Sequence, residues 1–329
     1  MVIGGCVEPK SPSKYSAVWA WRQIDSLRTL GVEVEIYEFK NRRSVWGLLK
    51  GGIDIRRKVR LYNPDLVHVQ YGAAQALITV LFSSKPVILK FGGSDLLGNY
   101  NAKGQKTWSG WLSVQLSRLA AVIAAGNIAV SEELRTALKF SLSRKKCWVI
   151  PDGIDLNIFK PAPKLEARNV LGWPHGDLVV LFMNRDGAWV KNPILAKDAF
   201  EKVKKVLPEA RLQVIENEPP EKMPYFMNAA DILLITSRHE GSNNTVKEAL
   251  ACNLPVVATP AGDIHQRLNG VDPSYVVSPD SGLLAQTMLE ILQNRRRSNG
   301  RKFVNQLSLE SIAKQVLEVY RETLKTSFK

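Results

Sequence analysis

The chain has 329 residues, too many for one ordinary domain and enough for two domains of roughly 150 residues each. Its composition, 45% hydrophobic and 23% charged, is typical of a globular protein with buried cores, and no run of about 18 apolar residues suggests a membrane span. The net charge of +14 lies mainly in residues 1–163, which hold 23 Lys and Arg against 12 Asp and Glu.

The N-terminal half alternates short apolar strands with helices. The segment Met1–Pro9 is apolar and short, with no basic region ahead of it, which predicts a first strand and not a signal peptide. Helical spacing occurs at Ala17–Leu30, Gly110–Leu119 and Glu132–Phe140. The predicted strands are Val2–Val7, Val32–Tyr37, Asp65–Gln70, Pro86–Phe91, Ala120–Ala124, Ile128–Val130 and Cys147–Ile150. Short apolar strands separated by helices indicate a parallel sheet covered on both faces.

Residues 40–60 form a basic, amphipathic segment. Its basic residues, opposed only by Asp54, are Lys40, Arg42, Arg43, Lys50, Arg56, Arg57, Lys58 and Arg60. Apolar residues, including Trp46 and Ile53, are interleaved with them. Such a segment can lie on an anionic membrane surface or attract an anionic ligand, and a solvated helix face is the ordinary alternative. Nucleic acid is not expected as a partner, because no helix-turn-helix, zinc or RNA-binding signature accompanies the charge.

Segment 151–163 interrupts the alternation and predicts an interdomain linker, because it is dense in proline and turn-forming residues. The strands predicted beyond it are Leu178–Met183, Ala210–Ile215, Ile232–Thr236, Val256–Ala258 and Tyr275–Val277. The helices predicted there are Pro193–Leu207, Met223–Asn228, 243–252, 281–294 and 308–325. We therefore expect an α/β architecture of two doubly wound, Rossmann-like domains, 1–155 and 164–307, facing each other across a ligand-binding cleft.

The run 237–252 carries the most specific functional signal. The predicted strand Ile232–Thr236 leads into a turn that contains Gly241, and a helix follows. This arrangement directs the N–H groups and the positive dipole end of the helix at a ligand, for which phosphate is the natural group. Glu240 and Glu248 lie eight residues apart, a spacing of roughly 12 Å along a helix. Their carboxylates would then contact separate parts of one elongated ligand, although such a pair by itself is most often a solvated surface pair.

Arg185 and Lys191 form a second candidate cluster. They lie six residues apart in the Gly-containing loop after the predicted strand Leu178–Met183. A guanidinium and an ammonium at the carboxyl end of a strand suit a diphosphate, and two ordinary surface cations are the alternative.

Together these segments resemble the signature of glycosyltransferase family 4, a group of retaining enzymes with the GT-B fold, and in particular its teichuronic-acid and exopolysaccharide biosynthesis enzymes. Glu240-Gly241 and Glu248, followed by Ala249-Leu250-Ala251 and by residues 253–259, are similar to the family's glutamate motif. The similarity spans about residues 15–320 and is strongest at 145–265. Further matching segments are Asp65–His68, Gly93–Asp95, Val149–Asp155, Phe159–Pro161 and Ala229–Asp231.

The resemblance implies a role for each matching residue. Glu248 would bind the ribose hydroxyls and Glu240 the donor sugar, while Arg185 and Lys191 would neutralise the leaving pyrophosphate. The phosphate would be capped at the helix N-terminus by Gly241, Ser242, Asn243, Asn244 and Thr245. The family resemblance also implies a reaction without metal or cofactor, and no DxD-type acidic cluster occurs in the sequence. The C-terminal helix, 308–329, would pack back on the N-terminal domain.

The acceptor side departs from the family pattern. Many members carry histidine or arginine just before the Gly-Ser-Asp turn, where this chain has Gly92, so that Lys90 or His68 would have to supply the contact. The family's glycine pair after strand one is replaced by residues 10–16, which makes Tyr15 an acceptor candidate. The remaining candidates are Gly93, Ser94 and Asp95, with a role in orienting the backbone turn as the alternative for Asp95.

We therefore expect a metal-independent retaining glycosyltransferase. It would move a hexose or N-acetylhexosamine from a UDP- or GDP-sugar to a hydroxyl of a surface-polysaccharide or lipid-linked acceptor. A nucleotide-sugar 2-epimerase and a non-catalytic, membrane-docked partner in a glycan assembly complex remain alternatives. A nicotinamide dehydrogenase is disfavoured because no G-x-G-x-x-G follows either first strand. Isolated Cys6, Cys147 and Cys252 favour a reducing compartment, hence a cytoplasmic protein, with peripheral docking on the inner face of the cell membrane as one reading of residues 40–60.

Overall fold

The computed structural model describes residues 2–4, 18–39, 44–184 and 189–327. The chain divides into two compact units, each built on a parallel sheet. Unit 1 comprises Met1–Asn101, Gln105–Gly153 and Leu309–Lys329, and unit 2 comprises Ala102–Gly104 and Ile154–Ser308. The chain therefore passes from unit 1 to unit 2 after Gly153 and returns after Ser308, close to the domain ends expected at 155 and 307.

Unit 1 is a six-stranded parallel sheet covered by helices. Its strands are β1 (Val2–Gly4), β2 (Ile36–Glu38), β3 (Val67–Val69), β4 (Val87–Phe91), β5 (Gly126–Ala129) and β6 (Cys147–Val149). Its helices are α1 (Val18–Thr29), α2 (Val45–Tyr62), α3 (Ala73–Phe82), α4 (Ser94–Leu97), α5 (Trp108–Ile123), α6 (Glu132–Ala137), α7 (Ser141–Lys145) and α14 (Leu309–Ser327). The strand order is β2-β1-β3-β4-β5-β6, so the winding direction reverses between β1 and β3.

Helices α2, α3 and α5 pack side by side on one face of this sheet. Gly52 lets α2 approach α3 closely, because a Cβ at that position would lie 2.8 Å from the Phe82 ring. Gly72 does the same for α3 and α5, where the amide of Ala73 donates to the Ser117 hydroxyl at 2.7 Å. Right-handed crossovers place α1 on the opposite face, where it packs against α14.

The strand predicted at Ala120–Ala124 is wrong, because these residues belong to the end of α5 and its cap. Ala120 and Ala121 are wholly buried against the sheet, so an apolar run there serves a helix as well as it would a strand. Periodicity alone does not separate a short buried strand from a buried helical turn.

Unit 2 is a five-stranded parallel sheet with the order β11-β10-β9-β7-β8. Its strands are β7 (Leu178–Met183), β8 (Ala210–Ile215), β9 (Ile232–Ile235), β10 (Val256–Ala258) and β11 (Tyr275–Val276). Its helices are α8 (Lys164–Leu171), α9 (Pro193–Val206), α10 (Met223–Ala229), α11 (Asn244–Ala251), α12 (Ile264–Leu268) and α13 (Ser281–Asn294). Short 3-10 segments occur at Trp189–Lys191, Pro220–Lys222, Gly300–Phe303 and Asn305–Leu307.

Most of the segment expected as a linker, 151–163, is packed into unit 2. Phe159 is wholly buried, and the Arg301 guanidinium donates to the carbonyl oxygens of Leu156 and Phe159. The amide of Ile154 donates to the Leu307 carbonyl, which holds the outgoing and returning chains together. The predicted linker therefore contains the crossing from unit 1 to unit 2 after Gly153, and its later residues pack within unit 2.

Candidate functional site

The central strands of the unit 2 sheet end at one edge, and their following loops meet there. Residues 236–243 follow β9, Thr259–Asp263 follow β10, and the segment that ends in Lys191 follows β7. The winding direction of the sheet reverses between β7 and β9. Ligands of doubly wound sheets bind at such a reversal, outside the carboxyl ends of the strands.

Glu240 and Lys191 form an ion pair at this reversal. The Glu240 Oε1 atom accepts from Lys191 Nζ at 2.5 Å, from the Ser237 hydroxyl at 2.7 Å and from Asn243 Nδ2 at 3.2 Å. Both charged side chains are partly exposed, at 27% for Lys191 and 15% for Glu240. The structure thus brings a fixed carboxylate and a cation together from the loops after β9 and β7.

Helix α11 begins at Asn244, four residues after Glu240. Its N-cap is Asn243, whose side-chain oxygen accepts from the amide of Val246 at 3.3 Å. Asn244 and Thr245 form its half-buried first turn, where the N–H groups of a helix lack intrahelical acceptors and favour an anion. Because the helix starts at Asn244, Glu240 precedes it and only Glu248 lies on it, so a helical rise does not set their separation. Glu248 is 8% exposed, and its neighbour Lys247 is wholly buried.

The loop after β10 packs against the backbone of the loop after β9, which carries Glu240. Gly262 has a φ of +56°, and a Cβ there would lie 2.7 Å from the Glu240 carbonyl oxygen and 2.8 Å from that of Gly241. Asp263 is buried and accepts from the Ser242 hydroxyl and from Arg267 Nε, each at 2.7 Å. Only glycine fits this left-handed position and permits so close a backbone approach.

The second cationic candidate, Arg185, lies outside the described residues. Lys191 closes the 3-10 turn Trp189–Lys191, where the Thr236 hydroxyl donates to its carbonyl oxygen at 2.8 Å. The guanidinium of Arg238 lies 4.5 Å from the centre of the Trp189 ring, and the backbone amide of Arg238 donates to the Val190 carbonyl. The loops after β7 and β9 are therefore joined at several points besides the ion pair.

On unit 1, the Gly-Ser-Asp turn is organised by the Asp95 carboxylate. Asp95 is wholly buried and accepts from the amides of Gly93 at 2.9 Å and of Gly72 and Gly92 at 3.2 Å. Burial raises the pKa of this carboxyl above its ordinary value, and these hydrogen bonds offset only part of that rise. Direct contact with an acceptor does not fit this burial, so the geometry favours the turn-orienting alternative. Ser94 is half-buried and its hydroxyl hydrogen-bonds to the Tyr71 hydroxyl at 2.8 Å.

Lys90 is 1% exposed and lies in a buried polar cluster at the same edge of the unit 1 sheet. Its ammonium pairs with Asp152, lies 3.4 Å from the Gln23 side-chain oxygen and stands over the Trp19 ring. Gln70 completes the cluster by donating to that same Gln23 oxygen at 2.6 Å. The cluster joins residues of α1 and β4 with residues that follow β3 and β6, and the Lys90 cation is paired within the unit.

His68 does not lie on an acceptor surface. It occupies the middle of β3, is wholly buried, and its Nδ1 contacts the Tyr320 hydroxyl of α14 at 2.5 Å. Burial, aided by the positive charge of Lys90, lowers the pKa of His68 to about 3. The expected acceptor role of His68 is therefore corrected to a packing role beneath α14. Tyr15, the other candidate for this side, lies outside the described residues.

Gly92, where many family members carry a larger side chain, is exposed, and a Cβ there would meet no atom within 4 Å. Three residues that shape the two edges were given no role from the sequence, namely Asp263, Gln23 and Gln70. The contacts by which they do so span 21 and 47 residues of the chain, so no local pattern marks them. Asp152 was visible in the sequence as part of the turn-rich segment and of the family match at Val149–Asp155, with no role assigned to it.

Among the residues that the structure describes, no group of three or more His, Cys, Asp or Glu side chains is placed to hold a metal ion. Within the same ranges no helix is long and apolar enough to cross a membrane. That the reaction needs no metal stays a prediction from the family resemblance.

Two family models match the chain. The model described as Glycosyltransferase Family 4 matches residues 9–158, and that described as Glycosyl transferases group 1 matches residues 191–294. The second match begins at Lys191 and includes both Glu240 and Glu248. The two matches fall in different units and together cover most of the chain.

Curated relatives are similar at about a quarter identity. The D-inositol 3-phosphate glycosyltransferase of Thermobispora bispora is 25% identical over 224 residues, which is 55% of this chain and 51% of that protein. The putative teichuronic acid biosynthesis glycosyltransferase TuaC of Bacillus subtilis is 26% identical over 256 residues, 71% of this chain and 62% of that protein. The chain matches only about half the length of the first of these relatives.

Solved structures share the fold over nearly the whole chain. The sucrose-phosphate synthase of Thermosynechococcus elongatus has a TM-score of 0.79 at 16% identity, covering 99% of each chain. The Anabaena protein HepE, solved with UDP, has a TM-score of 0.70 at 17% identity, covering 98% of this chain and 99% of that one. HepE was also solved with UDP and glucose and with UDP-glucose.

Proposed function

Since the chain belongs to glycosyltransferase family 4 and has the GT-B fold, we propose that it transfers a sugar from a nucleotide-sugar donor to a hydroxyl acceptor. The observation that carries the proposal is the Lys191–Glu240 pair in front of the α11 N-terminus, at the reversal point of the unit 2 sheet. A carboxylate that accepts sugar hydroxyls, a cation and a helix N-terminus are the groups that a sugar diphosphate needs.

Each of these groups has a distinct part in the proposed reaction. Glu240, held by Ser237 and Asn243, is proposed to accept a hydrogen bond from the donor sugar in place of its present bond from Lys191. Lys191 then neutralises charge that develops on the leaving diphosphate, together with the N–H groups at the start of α11. Glu248, further along the helix, binds the ribose hydroxyls. Protein cations and a helix terminus supply the stabilisation that a metal gives elsewhere, so the reaction is proposed to be metal-independent.

The donor and stereochemistry are proposed from similarity. HepE was solved with UDP and UDP-glucose, and this supports a UDP-sugar over the GDP-sugar alternative. The donated group is proposed to be a hexose or N-acetylhexosamine, transferred with retention of anomeric configuration as the family resemblance implies. The similarity to TuaC supports a surface-polysaccharide or lipid-linked saccharide as acceptor.

The test is a thermal-shift panel of UDP-, GDP-, ADP- and dTDP-sugars with EDTA present, on wild type, Glu248→Ala and the exposed control Glu201→Ala. We expect one nucleotide class to raise the melting temperature of wild type and of Glu201→Ala, and the shift to be lost in Glu248→Ala. Product anomers formed with that donor and a saccharide acceptor are then assigned by NMR.

Two outcomes would replace the proposal. Release of free sugar and UDP in the absence of acceptor, with a changed configuration at C2, would indicate the epimerase alternative. No shift with any nucleotide, with normal folding, would indicate a non-catalytic partner. A shift that appears only after Mg²⁺ or Mn²⁺ replaces EDTA would contradict metal independence alone.

A further inference from the structure

The layer formed by α2, α3 and α5 on unit 1 exposes large apolar side chains on neighbouring helices. Trp46 and Ile53 on α2 are 76% and 58% exposed, and Trp108 on α5 is 74% exposed. Single exposed apolar residues are ordinary, but a continuous set on packed helices indicates an interaction surface. We call this surface the α2–α5 face.

On α2 the exposed apolar residues form one outward stripe. Trp46, Leu49 and Ile53 recur at helical spacing, opposite a buried stripe that includes Ile55 and Val59. Arg57 and Arg60 continue the outward stripe toward the end of the helix and are exposed. Across the whole of α2, five basic residues are opposed by Asp54 alone.

On α5 the outward stripe is mostly apolar and is interrupted by the half-buried Gln115. Trp108 and Trp111 stack with ring centres 4.8 Å apart, and the exposed Leu119 and Ile123 lie on the same side about two and three turns further on. The helix carries one charged residue, Arg118, whose guanidinium donates to the Ala137 carbonyl and so is used within the unit. The helix between them, α3, carries no charged residue at all.

The orientation of the helices aligns their aromatic ends. Helices of a parallel sheet run against the strands, so α2 and α5 both begin at the carboxyl edge of the unit 1 sheet. Trp46, Trp108 and Trp111 lie in the first turns of their helices, at that common edge. Tryptophan is enriched where protein meets the headgroup level of a bilayer, because its ring is apolar with one polar N–H.

We propose that the α2–α5 face docks on the surface of an anionic lipid bilayer. Trp46, Ile53 and Trp108 insert at the boundary between headgroups and acyl chains, and Lys50, Arg57 and Arg60 lie against lipid phosphates. The charge selects this occupant, because a second copy of the same face would place cation against cation. Nucleic acid would use the cations and leave the apolar stripes exposed to water. This docking does not depend on the donor site, which lies on unit 2.

The test is co-sedimentation of the full chain with vesicles of phosphatidylcholine alone or with about 30% phosphatidylglycerol. We expect binding to the anionic vesicles only, weakened as salt rises from about 0.1 to about 0.5 M because the cations are screened. Arg57→Glu/Arg60→Glu is expected to weaken binding more than about tenfold, since each basic residue near an anionic surface contributes about fivefold. Trp46→Ser/Trp108→Ser removes the apolar contribution and is expected to weaken binding at both salt concentrations.

The matched controls lie on unit 2. Lys204→Glu/Lys205→Glu makes the same charge change on α9, and Val206→Ser/Leu283→Ser removes exposed apolar side chains at the end of α9 and on α13. Both are expected to bind vesicles as wild type does. The proposal is overturned if wild type ignores anionic vesicles, if the control variants lose binding equally, or if the Trp46/Trp108 variant abolishes self-association in ultracentrifugation without changing vesicle binding. Donor-induced thermal shifts, measured on the same variants without lipid, separate a failure of docking from a failure of the donor site.

Discussion

At the scale of single residues, the site depends on how one carboxylate is held. Glu240 accepts from Lys191, Ser237 and Asn243, three side chains from two loops and a helix cap. A carboxylate fixed in this way loses little entropy when a sugar hydroxyl replaces one donor. In the proposed reaction, the Lys191 cation that it releases would neutralise the charge of the leaving diphosphate.

Replacing that cation tests its role directly. Lys191→Ala is expected to lower kcat by at least about a hundredfold, as loss of one preorganised electrostatic group does, with a smaller change in KM. Lys197→Ala, an exposed cation on the adjacent α9, is the control and is expected to keep wild-type rates. The readout is the initial rate of nucleoside diphosphate release, with the donor identified by the thermal-shift panel and the acceptor both saturating. Equal activity of both variants would remove Lys191 from the chemistry.

At the scale of elements, the carboxyl edge of the unit 2 sheet is formed by loops whose backbones contact one another. The loop after β10 fits beneath the loop after β9 only because Gly262 has no side chain. The same principle joins α2 to α3 at Gly52 on unit 1. Such close approaches fix loop positions that hydrogen bonds alone would leave adjustable.

Two glycine substitutions separate backbone strain from loop contact. Gly172 and Gly262 both have a left-handed φ, +66° and +56°, but only a Cβ at Gly262 would meet other atoms. Gly172→Ala is therefore expected to cost about 1 kcal/mol of stability and leave activity unchanged. Gly262→Ala is expected to cost more and to raise KM for the donor, because the Glu240 backbone must shift. Thermal unfolding and donor kinetics on the two variants measure this, and matching effects would contradict it.

At the scale of the whole molecule, the chain is closed by its own C-terminal helix. α14 returns to unit 1 and contacts His68 through Tyr320, a partner 252 residues away in the sequence. The two rings meet edge to face with centres 5.6 Å apart, and burial raises the pKa of the Tyr320 hydroxyl. Unit 1 thus combines α14 with residues much earlier in the chain.

The buried contact between His68 and Tyr320 predicts that the free energy of unfolding falls in acid. The pKa of His68 is lowered to about 3, so the unfolded chain, with a histidine pKa near 6.5, binds the proton more readily than the folded one. The stabilisation is therefore present above about pH 6.5 and is lost as pH falls toward 3, by about 3 kcal/mol between pH 7 and pH 4. We expect His68→Phe to show a correspondingly shallower fall in unfolding free energy over that range, measured by urea denaturation. Parallel pH profiles for wild type and variant would show that His68 does not control the effect.

The alternation of apolar strands and amphipathic helices predicted two parallel sheets, because that pattern reports directly which residues are buried. The strand bounds Leu178–Met183, Ala210–Ile215 and Val256–Ala258 agree with the structure. The strand predicted at Ala120–Ala124 does not agree with the structure, because the apolar pattern of a single turn at the end of a buried helix is the same as that of a short buried strand. The chain enters unit 2 within segment 151–163, which was predicted as the linker, but composition does not reveal that Arg301 binds its carbonyl groups.

For the site, the sequence alone determined which residue types follow β9 and hence the family to which the chain belongs. The strand, turn and helix around Glu240 are local in sequence, so local physics specifies them. Only the tertiary structure decided which partners these residues meet. It placed Lys191 on Glu240, turned Asp95 inward to the Gly93 turn, and buried His68 beneath α14. The same limit applies to the α2–α5 face, where the sequence predicted a basic amphipathic helix and packing alone added the tryptophans of α5 to it. These contacts join segments far apart along the chain, and the free energy that selects them comes from packing the whole sheet.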